Sequence, residues 1–231
     1  MTRADELTTN LDVVRRRISA ACEAAGRDPG EVSLVVVTKF FPASDVRLLA
    51  DFGVTDVGEN RHQEAEAKAA ECADLGLRWH FIGGLQSNKA GAVATYADVV
   101  ESVDRVKLVG PLSRGAHARG HDVDVLLQVS LDPPGAHRSG ADAADLAELA
   151  RRVGEADRLR LRGLMAVAPL GEDPQRAFAR LAGIRRDFLA EHPEATVLSA
   201  GMSGDLEAAI AHGATHVRVG SAVLGPRPAV Q

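Results

Sequence analysis

Eight short apolar runs, each followed by a stretch of helical periodicity, predict an α/β chain folded as a (β/α)8 TIM barrel with an extra N-terminal helix. The runs fall at 33–38, 54–58, 78–83, 98–101, 123–129, 162–168, 196–199 and 215–220. Segments enriched in Ala, Glu, Arg and Leu separate them, at 43–52, 61–74, 86–95, 104–119, 142–156, 174–191 and 204–212. Eight such units within about 200 residues match the lower end of the barrel's size range. An open doubly wound sheet is the competing fold, but no GxGxxG turn follows the first strand. No linker rich in Pro, Gly or Ser divides the chain, so one domain spanning 1–231 is expected.

The elements follow from local chemistry. Residues 4–25 carry the periodicity of a first helix. "SLVVVT" (33–38) is a buried β-branched run, and Ser44-Asp45 signals the start of the helix that Gly53 ends. "VTDVG" (54–58) is followed by a helix that Gly76 ends, and "RWHFIG" (78–83) by one that Ser87-Asn88 starts. "DVVE" (98–101) leads to a helix stopped by Gly120, then "VDVLLQV" (123–129) and the helix at 142–156. "RGLMAVA" (162–168) precedes Asp173-Pro174, an N-cap followed by proline at the first helical position. "TVLS" (196–199), a helix ended by Gly213, and "THVRVG" (215–220) complete the order.

The 231 residues are 45% hydrophobic with a net charge of -5, enough apolar material for a large core. The apolar runs are too short to cross a membrane. No basic run and 3% aromatic content argue against a nucleic-acid surface. "MTRADELTTN" has no apolar signal core, and Cys22 and Cys72 form no spaced cluster; a cytoplasmic protein with reduced thiols is expected.

Lysine usage carries more information. Of 27 basic residues 23 are arginine, and lysine occurs only at 39, 68, 89 and 107. Unlike arginine, a lysine can lose its proton and form an imine. Lys39 ends the first strand, and the C-terminal strand ends of such a barrel carry its chemistry. "GENRHQE" (58–64), His80, "SAGMSGD" (199–205) and "RVGSAVLG" (218–225) converge on the same face. Ser203 and Ser221, beside Gly204 and Gly220 after strands 7 and 8, offer hydroxyl and N–H donors to a phosphate; the alternative is serine-capped turns. Arg218 faces inward from strand 8, awaiting a ligand or a carboxylate such as Glu59 or Glu101. Glu59 is likewise the alternative partner for Lys39. A lysine, a phosphate cradle and an inward arginine together point to pyridoxal 5′-phosphate (PLP).

With "VVVTK" (35–39), "GENRHQE" (58–64), "WHFIGGLQSNK" (79–89), "LRGLMAV" (161–167) and "GMSGDLEAAIAHGATHVRVGSAVLG" (201–225), the chain resembles the pyridoxal phosphate homeostasis (YggS-like) proteins, over residues 5 to 228. The resemblance implies a barrel like the N-terminal domain of alanine racemase. It implies that Lys39 holds PLP as a Schiff base and that Arg218 meets the pyridine nitrogen. It further implies that Ser203, Gly220, Ser221 and the Met202 backbone hold the phosphate, and that Asn60 and His80 line the pocket. Family members are implicated in PLP supply and in amino-acid and keto-acid balance, with apo PLP-dependent enzymes as possible recipients, and lean monomeric. Gly84, Ala200 and Arg138 depart from the proline, methionine and lysine usual there.

Three functions are open to such a site. An arginine at the ring nitrogen cannot protonate it, which disfavours transamination and decarboxylation but permits racemisation. A racemase needs a second acid–base group, and the only tyrosine, Tyr96, falls near the end of the helix after strand 3. A Schiff-base aldolase typically carries its lysine on a later strand. A PLP-binding protein without turnover is the expected reading.

Overall fold

The computed structural model describes residues 2–133 and 139–226. Its centre is a closed barrel of eight parallel strands in chain order, with β8 pairing back onto β1. The strands are β1 (Ser33–Val37), β2 (Asp56–Glu59), β3 (Arg78–Phe81), β4 (Val99–Val103), β5 (Val123–Val129), β6 (Leu159–Ala166), β7 (Val197–Ser199) and β8 (His216–Val219). The helices are α1 (Arg3–Ala24), α2 (Ala43–Asp51), α3 (His62–Glu71), α4 (Ser87–Val93), α5 (Val109–Arg119), α6 (Leu146–Gly154), α7 (Pro174–Glu191), α8 (Leu206–Ala211) and α9 (Ser221–Leu224). Closure places Val35 of β1 opposite Arg218 of β8 and Val37 opposite Gly58 of β2. That register brings the ends of the first, second and last strands together.

The expected strands all form, with shifted ends. The second begins at Asp56 because Val54 is taken up by the preceding helix end, its N–H donating to the Leu49 carbonyl at 3.0 Å. The sixth starts at Leu159, upstream of the expected 162, because β5 pairs with it from Val123. Gly163 is required there: a Cβ on it would stand 1.9 Å from the Val197 carbonyl oxygen of the neighbouring strand. The helices at 61–74, 104–119 and 142–156 each divide into a short 3₁₀ turn and an α segment. Asp173 caps α7 as expected, accepting the Gln175 N–H at 3.0 Å. Ser44-Asp45 does not cap α2; Pro42 stands at the cap, and Asp45 is buried against Arg3, Oδ2 to Nη2 at 2.6 Å.

Helix α1 explains why the chain has a segment outside the eightfold repeat. Thr2 and Asp5 form a capping box. Leu7, Leu11, Val14 and Ile18 recur at helical spacing and are buried with Leu206, Ile210, Val223 and Leu224. Arg3 donates to the Leu224 carbonyl at 3.0 Å, Asn10 to Val223 at 3.0 Å, and Arg17 to Ser203 at 3.0 Å. The helix therefore braces both segments that follow β7 and β8. Leu11 is 1% exposed, and Leu11→Ala is expected to cost about 2–5 kcal/mol of stability. Urea unfolding checks this as a lower midpoint at unchanged slope.

Candidate functional site

The sequence places polar side chains on strands whose inner face would ordinarily be apolar. Asp56, His80, Glu101, Ser199 and Arg218 form one chain of bonds. His80 Nε2 stands 2.9 Å from Asp56 Oδ1, and Nδ1 stands 2.7 Å from Glu101 Oε1. Ser199 donates to Glu101 Oε2 at 2.6 Å and accepts from Arg218 Nη1 at 2.7 Å. Glu101 on β4 and Ser199 on β7 are not strand neighbours, so these bonds cross the barrel interior. Arg218 also donates to the Ala166 carbonyl at 2.9 Å and lies 3.7 Å from Glu101.

The electrostatics follow. Burial works to raise the Glu101 carboxyl, but His80, Arg218 and Ser199 overcome it and hold its pKa at about 2. Burial works against a charged His80, and the bonds to Asp56 and Glu101 raise its pKa in spite of that. The Arg218 guanidinium is pulled below its ordinary value by burial, with Glu101 opposing.

Above this chain, at the C-terminal strand ends, is a cavity of about 270 Å³. Lys39, Met202, Ser203, Arg218, Gly220 and Ser221, six of the eight residues expected from the sequence, line it. Phe40, Phe41, Ile82 and Val37 supply apolar walls. Among the described residues the lining contains basic side chains and hydroxyls and no carboxylate. Gly220 permits the close approach of β8 to β1, since a Cβ on it would stand 3.2 Å from the Val37 carbonyl oxygen. Neither serine acts as a side-chain helix cap, the alternative the sequence left open. The Met202 N–H donates to Asp205 Oδ1 at 2.5 Å, so that amide is occupied within its own turn.

The structure does not bring the other two residues into this cavity. His80 sits one layer lower, 2% exposed, with both nitrogens engaged, because it stands one residue before the end of β3 and faces inward. Asn60 lines an adjoining cavity of about 420 Å³ with Arg61, His62, Gln86 and Lys89; its Oδ1 is buried without a hydrogen-bond partner. Gly84 lines that second cavity, and Ala200 is 1% exposed and outside both. Arg138 lies outside the described residues.

Of the carboxylate pairings the sequence leaves open, one forms and the others do not. Arg218 has Glu101 as its ion-pair partner, as the alternative reading allowed. Glu59 binds the Lys68 ammonium at 2.5 Å, not Lys39. Burial pushes the Glu59 carboxyl up, with Lys68 opposing, and its Oε2 is buried without a partner. Phe40, next to Lys39, has φ of 71°, a left-handed conformation that costs a non-glycine residue about 1–3 kcal/mol. No glycine or asparagine marks that turn in the sequence. The Glu64–Lys68 spacing of four residues was the only readable sign of this cluster.

The chain's similarities to known proteins agree with this geometry. The family model "Alanine racemase, N-terminal domain" matches residues 5–228. A pyridoxal phosphate homeostasis protein of Mycobacterium tuberculosis is 46% identical, over 97% of this chain and 94% of the relative. Its counterpart in Escherichia coli is 39% identical over 96% and 97%. The structure of PipY from Synechococcus elongatus, solved with PLP bound, superposes with a TM-score of 0.82 at 36% identity, covering 95% of this chain and all of that one.

Proposed function

Because the chain belongs to the alanine racemase N-terminal domain family, and within it to the pyridoxal phosphate homeostasis proteins, we propose that the Lys39 cavity holds PLP and that the protein keeps this cofactor in reserve without converting a substrate. The observation that carries the reading is the convergence of an amine, two serine hydroxyls and an anchored guanidinium on one cavity. The residues fit the group. Gly220 leaves a wall of bare backbone beside Ser221, and Phe40, Phe41 and Ile82 give a flat ring apolar surfaces. When bound, PLP supplies an aldehyde that condenses with a primary amine, and an anionic phosphate that anchors it.

This chain's side chains divide the work. Lys39 presents the amine. Ser203 and Ser221 offer hydroxyl donors to a phosphate, and Gly204 and Gly220 let backbone approach it. Arg218, tied to Ser199 and Ala166, uses two of its five N–H donors below the cavity and presents the rest to a ring acceptor. Its pairing with Glu101 keeps it charged, so it donates a hydrogen bond and passes on no proton.

A racemase-like role needs a second acid–base group facing the substrate. Tyr96 stacks on His62 at 5.8 Å and lines an outer groove with Trp79, Asp98 and Arg119, away from Lys39. Burial raises its hydroxyl above the ordinary phenol range, which further disfavours proton exchange there. This supports holding PLP and passing it to apo PLP-dependent enzymes over turnover at the site.

The test is to mix the purified protein with PLP, record its visible spectrum, reduce with borohydride and map the peptides by mass. The expected result is a band that bleaches and a phosphopyridoxyl mass on Lys39. No band and no added mass would remove the PLP reading. Formation of D-alanine from L-alanine by the loaded protein would remove the claim of no turnover.

A further inference from the structure

The proposed binding of PLP leaves a cluster of buried charges beside Lys39 without an assigned role. We propose that Glu64, oriented by Lys68 and Glu59, is a positioning residue that fixes the direction of the Lys39 side chain. This inference rests on the reading of Lys39 as the amine that takes PLP.

Lys39 stands between two pinned neighbours. On one side, Thr38 donates its hydroxyl to Glu59 Oε1 at 2.6 Å, and its carbonyl accepts from Lys68 Nζ at 2.9 Å. On the other, the Phe40 N–H donates to Glu64 Oε1 at 2.5 Å. The two sides share one ammonium, since Lys68 Nζ also meets Glu59 Oε1 at 2.5 Å and Glu64 Oε1 at 3.2 Å. Its three donors are thus committed to Thr38, Glu59 and Glu64. Lys68 is one of four lysines in a chain of 23 arginines, and its side chain is 5% exposed. A compact ammonium with three freely directed donors satisfies three such acceptors, whereas the planar guanidinium does not.

The arrangement matters because of Phe40. Among the described residues only Phe40 and Arg158 are non-glycines with positive φ. A backbone in that state persists only where its surroundings over-determine it. Glu64 contributes one such restraint from α3 by accepting the Phe40 N–H, beside the Arg61 guanidinium over the Phe40 ring at 5.0 Å and the Phe41 N–H on the Thr38 carbonyl at 3.1 Å. Without its carboxylate the Phe40 N–H loses an acceptor, and the turn that aims Lys39 relaxes.

Direction is what the covalent step needs. The neutral Lys39 amine adds to the aldehyde carbon, and the aldehyde oxygen leaves as water with the two amine protons as the C=N bond forms. A reacting atom displaced by about 1 Å slows such a step by as much as a hundredfold. Binding of the phosphate and the ring nitrogen depends on Ser203, Gly220, Ser221 and Arg218, none of which hydrogen-bonds to this cluster; of the apolar walls only Phe40 belongs to it, and Phe41 and Ile82 do not.

Pyridoxamine 5′-phosphate separates the two, because it keeps the ring and phosphate but has no aldehyde. In Glu64→Ala, covalent capture of PLP, followed by stopped-flow absorbance, is expected to slow by about tenfold, the size that relief of such strain implies. The affinity for pyridoxamine 5′-phosphate is expected to stay close to wild type, since the phosphate and ring-nitrogen donors and two of the apolar walls are untouched, whereas the melting temperature falls because Lys68 and the Phe40 N–H each lose an acceptor. Glu64→Gln is expected to recover most of the rate, because its amide oxygen still accepts the Phe40 N–H. Wild-type capture in Glu64→Ala would overturn the proposal. So would a parallel loss of pyridoxamine 5′-phosphate affinity, or a Gln variant as slow as the Ala one. A wild-type protein that captures no PLP would instead overturn the function on which the inference rests.

Discussion

Lys39→Ala is expected to abolish covalent capture of PLP while leaving a weaker, phosphate-dependent association. No other lysine is placed to substitute. Lys68 is committed to Thr38, Glu59 and Glu64. Lys89 lines the adjoining cavity with Asn60, and Lys107 belongs to the 3₁₀ turn before α5. The remaining lining, Ser203, Gly220, Ser221 and Arg218, still offers donors to the phosphate and ring. Loss of the covalent link should weaken retention by about a hundredfold, roughly 2.8 kcal/mol. The fold should change little, because Lys39 follows β1 in a turn and is only partly buried. Mass mapping after borohydride reads the first outcome, and equilibrium dialysis against PLP the second. A reduced adduct appearing on Lys68 or Lys89 in the variant, or an undiminished band, would show that Lys39 is not the receiving amine.

How far the sequence carried this site depends on the kind of signal each residue leaves. Strand-end lysine, hydroxyl–glycine pairs and an inward arginine are types that seldom occupy an apolar barrel end, and they were legible as outliers. Strand order also follows from alternation alone, since parallel strands joined by helices admit few closed arrangements. Depth along a strand is harder to read. His80 and Phe81 differ by one position in "WHFIG", yet the histidine faces the barrel interior below the cavity. Pairing among carboxylates is harder still: the sequence offers Glu59 to Lys39 or Arg218, and its actual partner, Lys68, comes from α3. The left-handed turn at Phe40 left no trace, because it is met by tertiary contacts, Glu64 on its N–H and Arg61 over its ring, instead of by a residue that favours it.

Glu101→Gln is expected to cost about 3–5 kcal/mol of stability, although it preserves shape, because it leaves buried cationic groups facing an uncharged amide. Glu101 is 0% exposed and is the acceptor for His80 and Ser199 and the counter-ion for Arg218. The pH dependence identifies the cause. Glu101 titrates at about 2 in the folded chain, below the unfolded carboxylate value of about 4.3. Its contribution is therefore present above about pH 4.3 and lost as pH falls towards 2. His80 is shifted the other way, above the unfolded imidazole value of about 6.5. Its contribution is complete below that pH and fades as pH rises through the raised folded value. Both contributions coexist between about pH 4.3 and 6.5, so the deficit of Glu101→Gln should be greatest there and shrink at higher pH. Urea titrations at about pH 5.5 and at alkaline pH measure it. A deficit that is the same at both would mean that His80 is not the cation Glu101 stabilises, and one below about 1 kcal/mol that the charge chain adds little to the fold. The same substitution removes the counter-ion beneath Arg218 and leaves Ser199 and Ala166 to aim it. PLP retention should then fall together with stability, which ties the bottom of the barrel to the cavity at its mouth.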